Sequence, residues 1–194
     1  DILAQKGYNF ERFLPERKTT RNIIAYATNI RNGLEYVIKF SEDFNQIDKE
    51  YIMLQRLNHN NIIKAIEVVE LIDIFGLVLA KAEGGDLYEH LTVRISHYQI
   101  QHIMQSLLTS LKVIHQNQLI HFGPAKSSTV FHVQSPTNVS VRYGDTDTFD
   151  SEIVLAEFES LTPSDNPVAY WGTEGFMAPE ILEKKKGMLF FLII

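Results

Sequence analysis

The stretch from Asn22 to Phe40, NIIAYATNIRNGLEYVIKF, constrains the fold most strongly. It is rich in β-branched and aromatic residues on both sides of Asn32-Gly33. An Asn-Gly pair supplies the positive φ angles that a two-residue hairpin turn requires. The sequence therefore predicts two antiparallel strands joined by a two-residue turn, and a chain built around a small antiparallel sheet.

One helix and two more strands are predicted after this hairpin. Residues 62–71 and 74–80 are short β-type runs, and the Gly-punctuated residues 81–87 read as a connector. The helix is expected to begin after Ser41 as its N-cap, because apolar residues then recur at helical spacing. Those residues are Phe44, Ile47, Tyr51 and Leu54.

A longer amphipathic helix is predicted from Ser96 to Gln116. Ser96 and Gln99 have the spacing of a capping box, in which each side chain bonds the backbone of the other residue. One apolar face is expected to run along this helix. It consists of Ile100, Ile103, Met104, Leu107, Leu111 and Ile114.

Composition argues against several kinds of function. The net charge of −6 opposes a nucleic-acid or acidic-membrane interface, which needs clustered Lys and Arg. The absence of cysteine excludes disulfides, thiolate nucleophiles and cysteine-based zinc sites. Residues 188–194 form a run of seven apolar residues, whereas a membrane span needs roughly 20. We expect no membrane span, no signal peptide and a cytoplasmic location.

Three motifs, in order, resemble the eukaryotic protein kinases. Residues 35–40, EYVIKF, resemble the strand that carries the ATP-phosphate lysine, and residues 78–91, VLAKAEGGDLYEHL, resemble the hinge. Residues 172–182, GTEGFMAPEIL, resemble the end of the activation segment, and Thr173 within them is typical of the serine/threonine branch. The resemblance implies an α+β, protein-kinase-like bilobal fold. A β-rich N-lobe with one helix would precede an incomplete, mainly helical C-lobe.

The same resemblance implies four parts in the chain. Residues 1–80 correspond to the N-lobe, 81–86 to the hinge and connector, and 87–182 to a partial C-lobe. Residues 183–194 form an atypical apolar tail, because the family continues there into a helical region beneath the catalytic loop. The chain is therefore expected to be C-terminally truncated relative to the family.

The resemblance places nucleotide-binding residues in the N-lobe and hinge. Lys39 matches the lysine that contacts the α and β phosphates, and Glu50 matches its helix partner. Val37 matches the small alanine above the adenine and adds bulk there. Residues 8–32 lack the glycines that let backbone amides approach phosphates, so ATP is expected to bind weakly or not at all. The hinge residues implied are Leu79, Ala80 and Ala82.

The catalytic loop departs from the family pattern H-R-D-L-x-x-x-N. Aligned on His121, it places Phe122 at the arginine, Gly123 at the aspartate and Ser128 at the asparagine. No catalytic residue is therefore intact, because glycine offers no carboxylate to accept a proton. His121 itself is expected to be a packed structural histidine.

Two stretches compete for the magnesium-binding D-F-G motif. Glu157 precedes Phe158 and follows a predicted strand in which Ile153 and Leu155 alternate inward, and this alignment is preferred. The alternative is the Tyr143-Gly144 region. Even at Glu157, Mg²⁺ binding is disfavoured, because the extra methylene displaces the carboxylate from a near-octahedral site.

Three functional hypotheses follow from the resemblance. The leading one is a catalytically inactive pseudokinase, a binding or scaffolding module for a protein partner in signalling, with weak or no ATP binding. The alternative is a divergent ATP-dependent serine/threonine protein kinase in which Glu157 and a relocated carboxylate, Asp145 or Asp147, replace the missing groups. The third is a kinase fragment with no activity of its own.

Overall fold

The chain divides into two compact units in its computed structural model. The first comprises Asp1–Asn58 with Ile63–Lys81, and the second comprises His59–Ile62 with Ala82–Ile194. The structure describes residues 2–14, 23–82, 96–121, 130–134, 151–156 and 158–165.

A five-stranded antiparallel sheet forms the first unit, in the order β1-β2-β3-β5-β4. A short helix α1 (Ile2–Gln5) precedes the sheet, and helix α2 (Phe44–Gln55) lies between β3 and β4 in the chain. The sheet and its helix confirm the predicted α+β class. The strands are β1 (Tyr8–Phe13), β2 (Ile23–Asn29), β3 (Glu35–Ser41), β4 (Ala65–Glu70) and β5 (Phe75–Ala80).

The β2-β3 hairpin is present, but the prediction of a two-residue turn was wrong. The amide of Asn29 donates to the carbonyl oxygen of Leu34 at 2.9 Å, so the loop comprises the four residues 30–33. Its backbone bends around the side-chain oxygen of Asn29, which accepts two loop amides at 2.9 and 3.3 Å. Within the loop, only Gly33 has a positive φ, +68°. The side chain of Asn29 thus stabilises a wider turn than Asn32-Gly33 alone would form.

Helix α2 is confirmed, but its predicted N-cap was wrong. Ser41 is the last residue of β3, and its hydroxyl accepts the amide of Asp43 at 3.1 Å. The carboxylate of Asp43 caps the helix instead by accepting two first-turn amides at 2.9 and 3.3 Å. Ser41 therefore belongs to β3 and lies two residues before the N-cap of α2. The residues of α2 that are buried are Ile47, Glu50, Met53 and Leu54.

Buried residues from one face of the sheet form a compact apolar cluster with α1. Its members include Leu3, Ala27, Ile38 and Val78. Tyr8 lies at the edge of the cluster and donates its hydroxyl to Glu67 at 2.6 Å. Burial, together with that hydrogen bond, raises the pKa of Tyr8 to about 12.

In the described part of the second unit there are one long helix and two strand pairs. Strand β6 pairs antiparallel with β9, and β7 pairs antiparallel with β8. A 3₁₀ turn at Phe158–Ser160 lies directly before β9. The bounds are α3 (His97–Gln116), β6 (Leu119–His121), β7 (Val130–Gln134), β8 (Ser151–Leu155) and β9 (Leu161–Pro163).

Helix α3 has the predicted start, and its buried face matches the predicted apolar face only in part, at Ile103 and Ile114. Ser96 caps it, and both hydrogen bonds of the capping box with Gln99 are formed. Two residues of the predicted apolar face are exposed, Ile100 at 48% and Met104 at 38%. The buried stripe includes small polar residues. One of them satisfies its buried hydroxyl by donating to the carbonyl oxygen of Asn61 at 2.8 Å. That stripe consists of Ile103, Ser106, Ser110 and Ile114.

Ile153 and Leu155 of β8 are buried as predicted, but the residues that alternate with them are buried as well. The four residues Ile153–Ala156 are each less than 9% exposed. β7 pairs with one edge of β8, and Asn61 bonds the other edge. The amide of Leu155 donates to the carbonyl oxygen of Asn61 at 2.9 Å, and the side-chain amide of Asn61 donates to the carbonyl oxygen of Ile153 at 2.8 Å. Because successive side chains point to opposite faces, burial of all four residues shows that both faces of β8 are covered, which accounts for its continuous apolar run.

Several predicted features lie outside the described residues. They include most of the hinge and connector (83–86), the end of the activation segment (172–182), the apolar tail (183–194) and Thr173. The four-part division of the chain remains a prediction.

Gly76 on β5 provides a test of the packing of this sheet. A Cβ at this position would lie 2.8 Å from a methyl of Val69 and 2.9 Å from a methyl of Ile38. We expect Gly76→Ala to lower the free energy of unfolding by about 1–3 kcal/mol, measured by urea denaturation.

The matched control is Gly33→Asn, where nothing lies within 4 Å of the added Cβ and asparagine tolerates the positive φ. Its expected cost is below about 1 kcal/mol. Equal losses in the two variants would contradict the packing described for β5.

Candidate functional site

An ion pair between Lys39 and Glu50 joins β3 to α2. The ammonium Nζ of Lys39 lies 2.7 Å from Oε2 of Glu50. Lys39 is only 6% exposed and Glu50 only 3%. Such a pair must be formed for both charges to remain buried, because an isolated buried charge is very costly.

Helix periodicity explains why Glu50 reaches the sheet. Ile47, Glu50 and Leu54 are spaced by three and four residues, so they share one face of α2. That face is buried, and α2 contacts strands β3, β4 and β5. The eleven positions between Lys39 and Glu50 are therefore sufficient to form the pair.

The strand register places several predicted nucleotide-binding residues on one face of the sheet. Val37 pairs with Leu79 and Lys39 pairs with Leu77. Val37 and Lys39 are two positions apart on β3 and therefore point the same way. Val37, Lys39 and Leu79 thus share a face with the contact to Glu50, and their role in nucleotide binding remains a prediction.

The two remaining predicted residues are positioned differently. The side chain of Ala80 follows that of Leu79 on β5 and therefore points to the other face. Its backbone amide donates to the carbonyl oxygen of Lys64 at 2.9 Å. Ala82 is described but belongs to the second unit. Nucleotide binding through the backbone of Ala80 and Ala82, which the hinge resemblance implies, remains a prediction.

Tyr26 also lies on the face of Val37 and Lys39, and sequence reasoning missed it. It pairs directly opposite Val37 across the β2-β3 ladder. Two cations lie over its ring: the guanidinium carbon of Arg12 is 4.8 Å and Nζ of Lys81 is 5.2 Å from the centroid. A two-residue turn would have shifted the register and placed Tyr26 opposite Lys39, so only the observed four-residue loop gives this arrangement.

His121 is buried at the end of β6, which confirms that it is a packed histidine. Its Nε2 lies 3.3 Å from the carbonyl oxygen of Ala156, and its ring packs edge-on against Phe158 with centroids 4.9 Å apart. Burial lowers the pKa of His121 to about 4, although the contact with Ala156 raises it slightly. The imidazole is therefore neutral at physiological pH.

The residues predicted at the missing catalytic and metal positions lie outside the described part of the chain. They are Phe122, Gly123, Ser128, Tyr143, Gly144 and Glu157. Among the described residues, no group of three or more acidic or histidine side chains is arranged to hold a metal ion. Within the same ranges, no helix has the length and apolar character needed to cross a membrane.

Comparison with known proteins shows the family. The model of the protein kinase domain matches residues 27–188. The serine/threonine-protein kinase ATG1b of Arabidopsis thaliana is 31% identical over 142 residues, which are 71% of this chain and 18% of that protein. The chain therefore belongs to the eukaryotic protein kinase superfamily.

Two further relatives extend the similarity over most of the chain. Calcium/calmodulin-dependent protein kinase type 1 of Caenorhabditis briggsae is 23% identical over 95% of this chain and 48% of its own length. Calcium-dependent protein kinase 5 of Plasmodium falciparum is 24% identical over 92% of this chain and 31% of its own length. The chain thus spans less than half the length of these curated relatives.

The ion pair predicts a strong coupling between two substitutions. Lys39→Met or Glu50→Leu alone leaves one charge buried, and each is expected to lower the free energy of unfolding by about 3–5 kcal/mol. The double variant removes both charges and should lose much less than the sum of the two, measured by urea denaturation. Additive losses would contradict a structural role for the pair.

The low pKa of His121 predicts a loss of stability in acid. In the unfolded chain its pKa is about 6.5, so between pH 6.5 and about 4 the unfolded state binds the extra proton and stability falls as the pH falls. From pH 7.5 to 5 this contribution amounts to about 2 kcal/mol.

The control for this pH effect is His121→Gln, which lacks the titrating ring but retains the other histidines. The difference in unfolding free energy between wild type and variant should shrink towards pH 5. A difference that stays constant over this range would show that His121 does not titrate as described.

Proposed function

We propose that this kinase domain is a pseudokinase, a binding or scaffolding module for a protein partner with weak or no ATP binding. One observation carries the proposal: Gly123 stands where the family has the aspartate that accepts the proton of the substrate hydroxyl. Glycine has no side chain that could orient a nucleophile. Because positioning is most of what a kinase contributes to phosphoryl transfer, the loss is severe.

A contact among the described residues supports the alignment that places Gly123 there. The alignment begins at His121, two positions before Gly123, and pairs Phe158 with the middle residue of D-F-G. His121 and Phe158 pack edge-on, with centroids 4.9 Å apart. Their contact favours the preferred alignment of Glu157 over the alternative at Tyr143-Gly144.

The ion pair between Lys39 and Glu50 can be explained without a bound nucleotide. Lys39 and Glu50 neutralise each other in a buried position at 2.7 Å. The lysine therefore has a structural role even where no phosphate is bound, because Glu50 would otherwise be buried without its cation. This arrangement is consistent with a domain that keeps the kinase fold without the chemistry.

A divergent serine/threonine kinase is the second candidate, and the same ion pair favours it. In active protein kinases the lysine and the helix glutamate must both be in place for phosphoryl transfer, and here they are in contact. One relative of this chain is named a serine/threonine-protein kinase. Catalysis would then require Glu157 for the metal, and Asp145 or Asp147 in place of the missing aspartate.

The remaining parts of the proposal concern the cellular location, the partner and the ligands. A net charge of −6 and the lack of cysteine support a cytoplasmic protein partner rather than nucleic acid. ATP would be a weak ligand at best, and Mg²⁺ at Glu157 is disfavoured.

Phosphotransfer separates the two candidates. The purified chain is incubated with γ-labelled ATP, Mg²⁺ or Mn²⁺ and a mixed protein substrate, and label incorporation is compared with that of Lys39→Met. A pseudokinase should give the same background in both, because no residue accepts the substrate proton.

The outcome that favours a kinase is wild-type incorporation above that of Lys39→Met. Thermal melts of both proteins followed by circular dichroism are the folding control, since an unfolded variant would lose activity whether or not Lys39 takes part in catalysis. A chain without a cooperative melt would instead support the hypothesis of a kinase fragment with no activity of its own.

A further inference from the structure

Four side chains on one face of the sheet form a continuous series of contacts across four strands. Arg12 lies on β1, Tyr26 on β2 and Glu35 on β3, and Lys81 directly follows β5. The strands are adjacent in the order β1-β2-β3-β5. The register pairs Arg12 with Tyr26 and continues on the same face through Val37.

Lys81 must cross β3 to make its contacts. Neighbouring strands are about 4.8 Å apart, so β5 and β2 are separated by about 10 Å. Nζ of Lys81 nevertheless lies 5.2 Å from the ring centroid of Tyr26 on β2. The same ammonium bonds Oε2 of Glu35 on β3 at 2.5 Å. The lysine side chain therefore extends over β3 beside Val37.

The two cations contact the Tyr26 ring from opposite sides along the sheet. The guanidinium of Arg12 approaches it from β1, and the ammonium of Lys81 approaches it from the side of β5. Cations are attracted to the negative face of an aromatic ring, and the carboxylate of Glu35 fixes Lys81 further. Tyr26 is half-buried, and the side chain of Lys81 is only 20% exposed.

We propose that Arg12, Tyr26, Glu35 and Lys81 form a side-chain strap that closes the sheet face on which the base of a nucleotide would lie. The resemblance to kinases places that base beside Val37, and Tyr26 is its direct partner in the ladder. The tyrosine ring and the lysine that crosses β3 thus lie on the sheet face that carries Val37 and Leu79. The inference rests on the proposed function, because it gives a physical reason for weak or absent ATP binding.

Adenosine is the probe for the strap, because it has the base but no phosphate. Its binding to the full chain is measured by isothermal titration calorimetry without metal. Tyr26→Val removes the ring and retains a β-branched residue suited to a strand. We expect this variant to bind adenosine at least about tenfold more tightly than wild type.

Two further variants make the test specific. Tyr26→Phe keeps the ring and both cation contacts, so its affinity should stay within about twofold of wild type. Lys81→Met removes the charge that crosses β3 without altering the ring, and it should raise affinity about threefold. If Tyr26→Val does not melt cooperatively, Lys81→Met decides the question alone, and an unchanged affinity in it overturns the strap.

The results also distinguish this inference from the proposed function. Equal adenosine affinity in wild type and Tyr26→Val overturns the strap, but a wild type that transfers no phosphate still leaves the pseudokinase proposal standing. Conversely, wild-type phosphotransfer above that of Lys39→Met overturns the pseudokinase. Tighter binding by Tyr26→Val than by both wild type and Tyr26→Phe supports the strap.

Discussion

The buried ion pair between Lys39 and Glu50 fixes how α2 sits on the sheet of the first unit. Lys39 lies on a central strand with neighbours on both edges, so its position is set by the ladder. A rotation of α2 by one residue, about 100°, would move Glu50 away and bury another side chain in its place. Lys39 would then remain buried without its partner, and such a state is strongly disfavoured. The apolar contacts of Ile47 and Leu54 follow from this orientation.

This constraint changes what a kinase-like ion pair implies. In an active kinase the lysine also contacts the ATP phosphates, so the ion pair is usually interpreted as part of the catalytic machinery. Here its presence is explained by the stability of one unit, whether or not nucleotide binds. In the proposed alignment, the groups that would perform chemistry belong to another region of the sequence, where Gly123 stands at the position of the expected carboxylate. Under the proposed function, a kinase fold and kinase activity are separable properties of this chain, and the proposed strap at Tyr26 gives a physical reason for a closed base surface.

Local sequence patterns predicted the elements well and their details poorly. The capping box of Ser96 could be found because two residues satisfy each other within one helical turn. The buried face of α3 could not, because Ser110 is buried by its bond to Asn61, which is 49 positions away. The same limit applies to Tyr26, whose partner in the ladder depends on a four-residue loop stabilised by Asn29. Family resemblance supplied the pairing of Lys39 with Glu50, which no local period reveals.

The most direct test of the account is the melting temperature of the full chain with and without 1 mM ATP and Mg²⁺. The account holds that the kinase fold is assembled by its own side chains and takes up nucleotide weakly or not at all. A dissociation constant above 1 mM stabilises the fold by less than about 0.4 kcal/mol, so a single cooperative transition should shift by less than about 2 °C. A dissociation constant near 10 μM would instead raise the midpoint by roughly 5 °C or more, and that result would contradict the account.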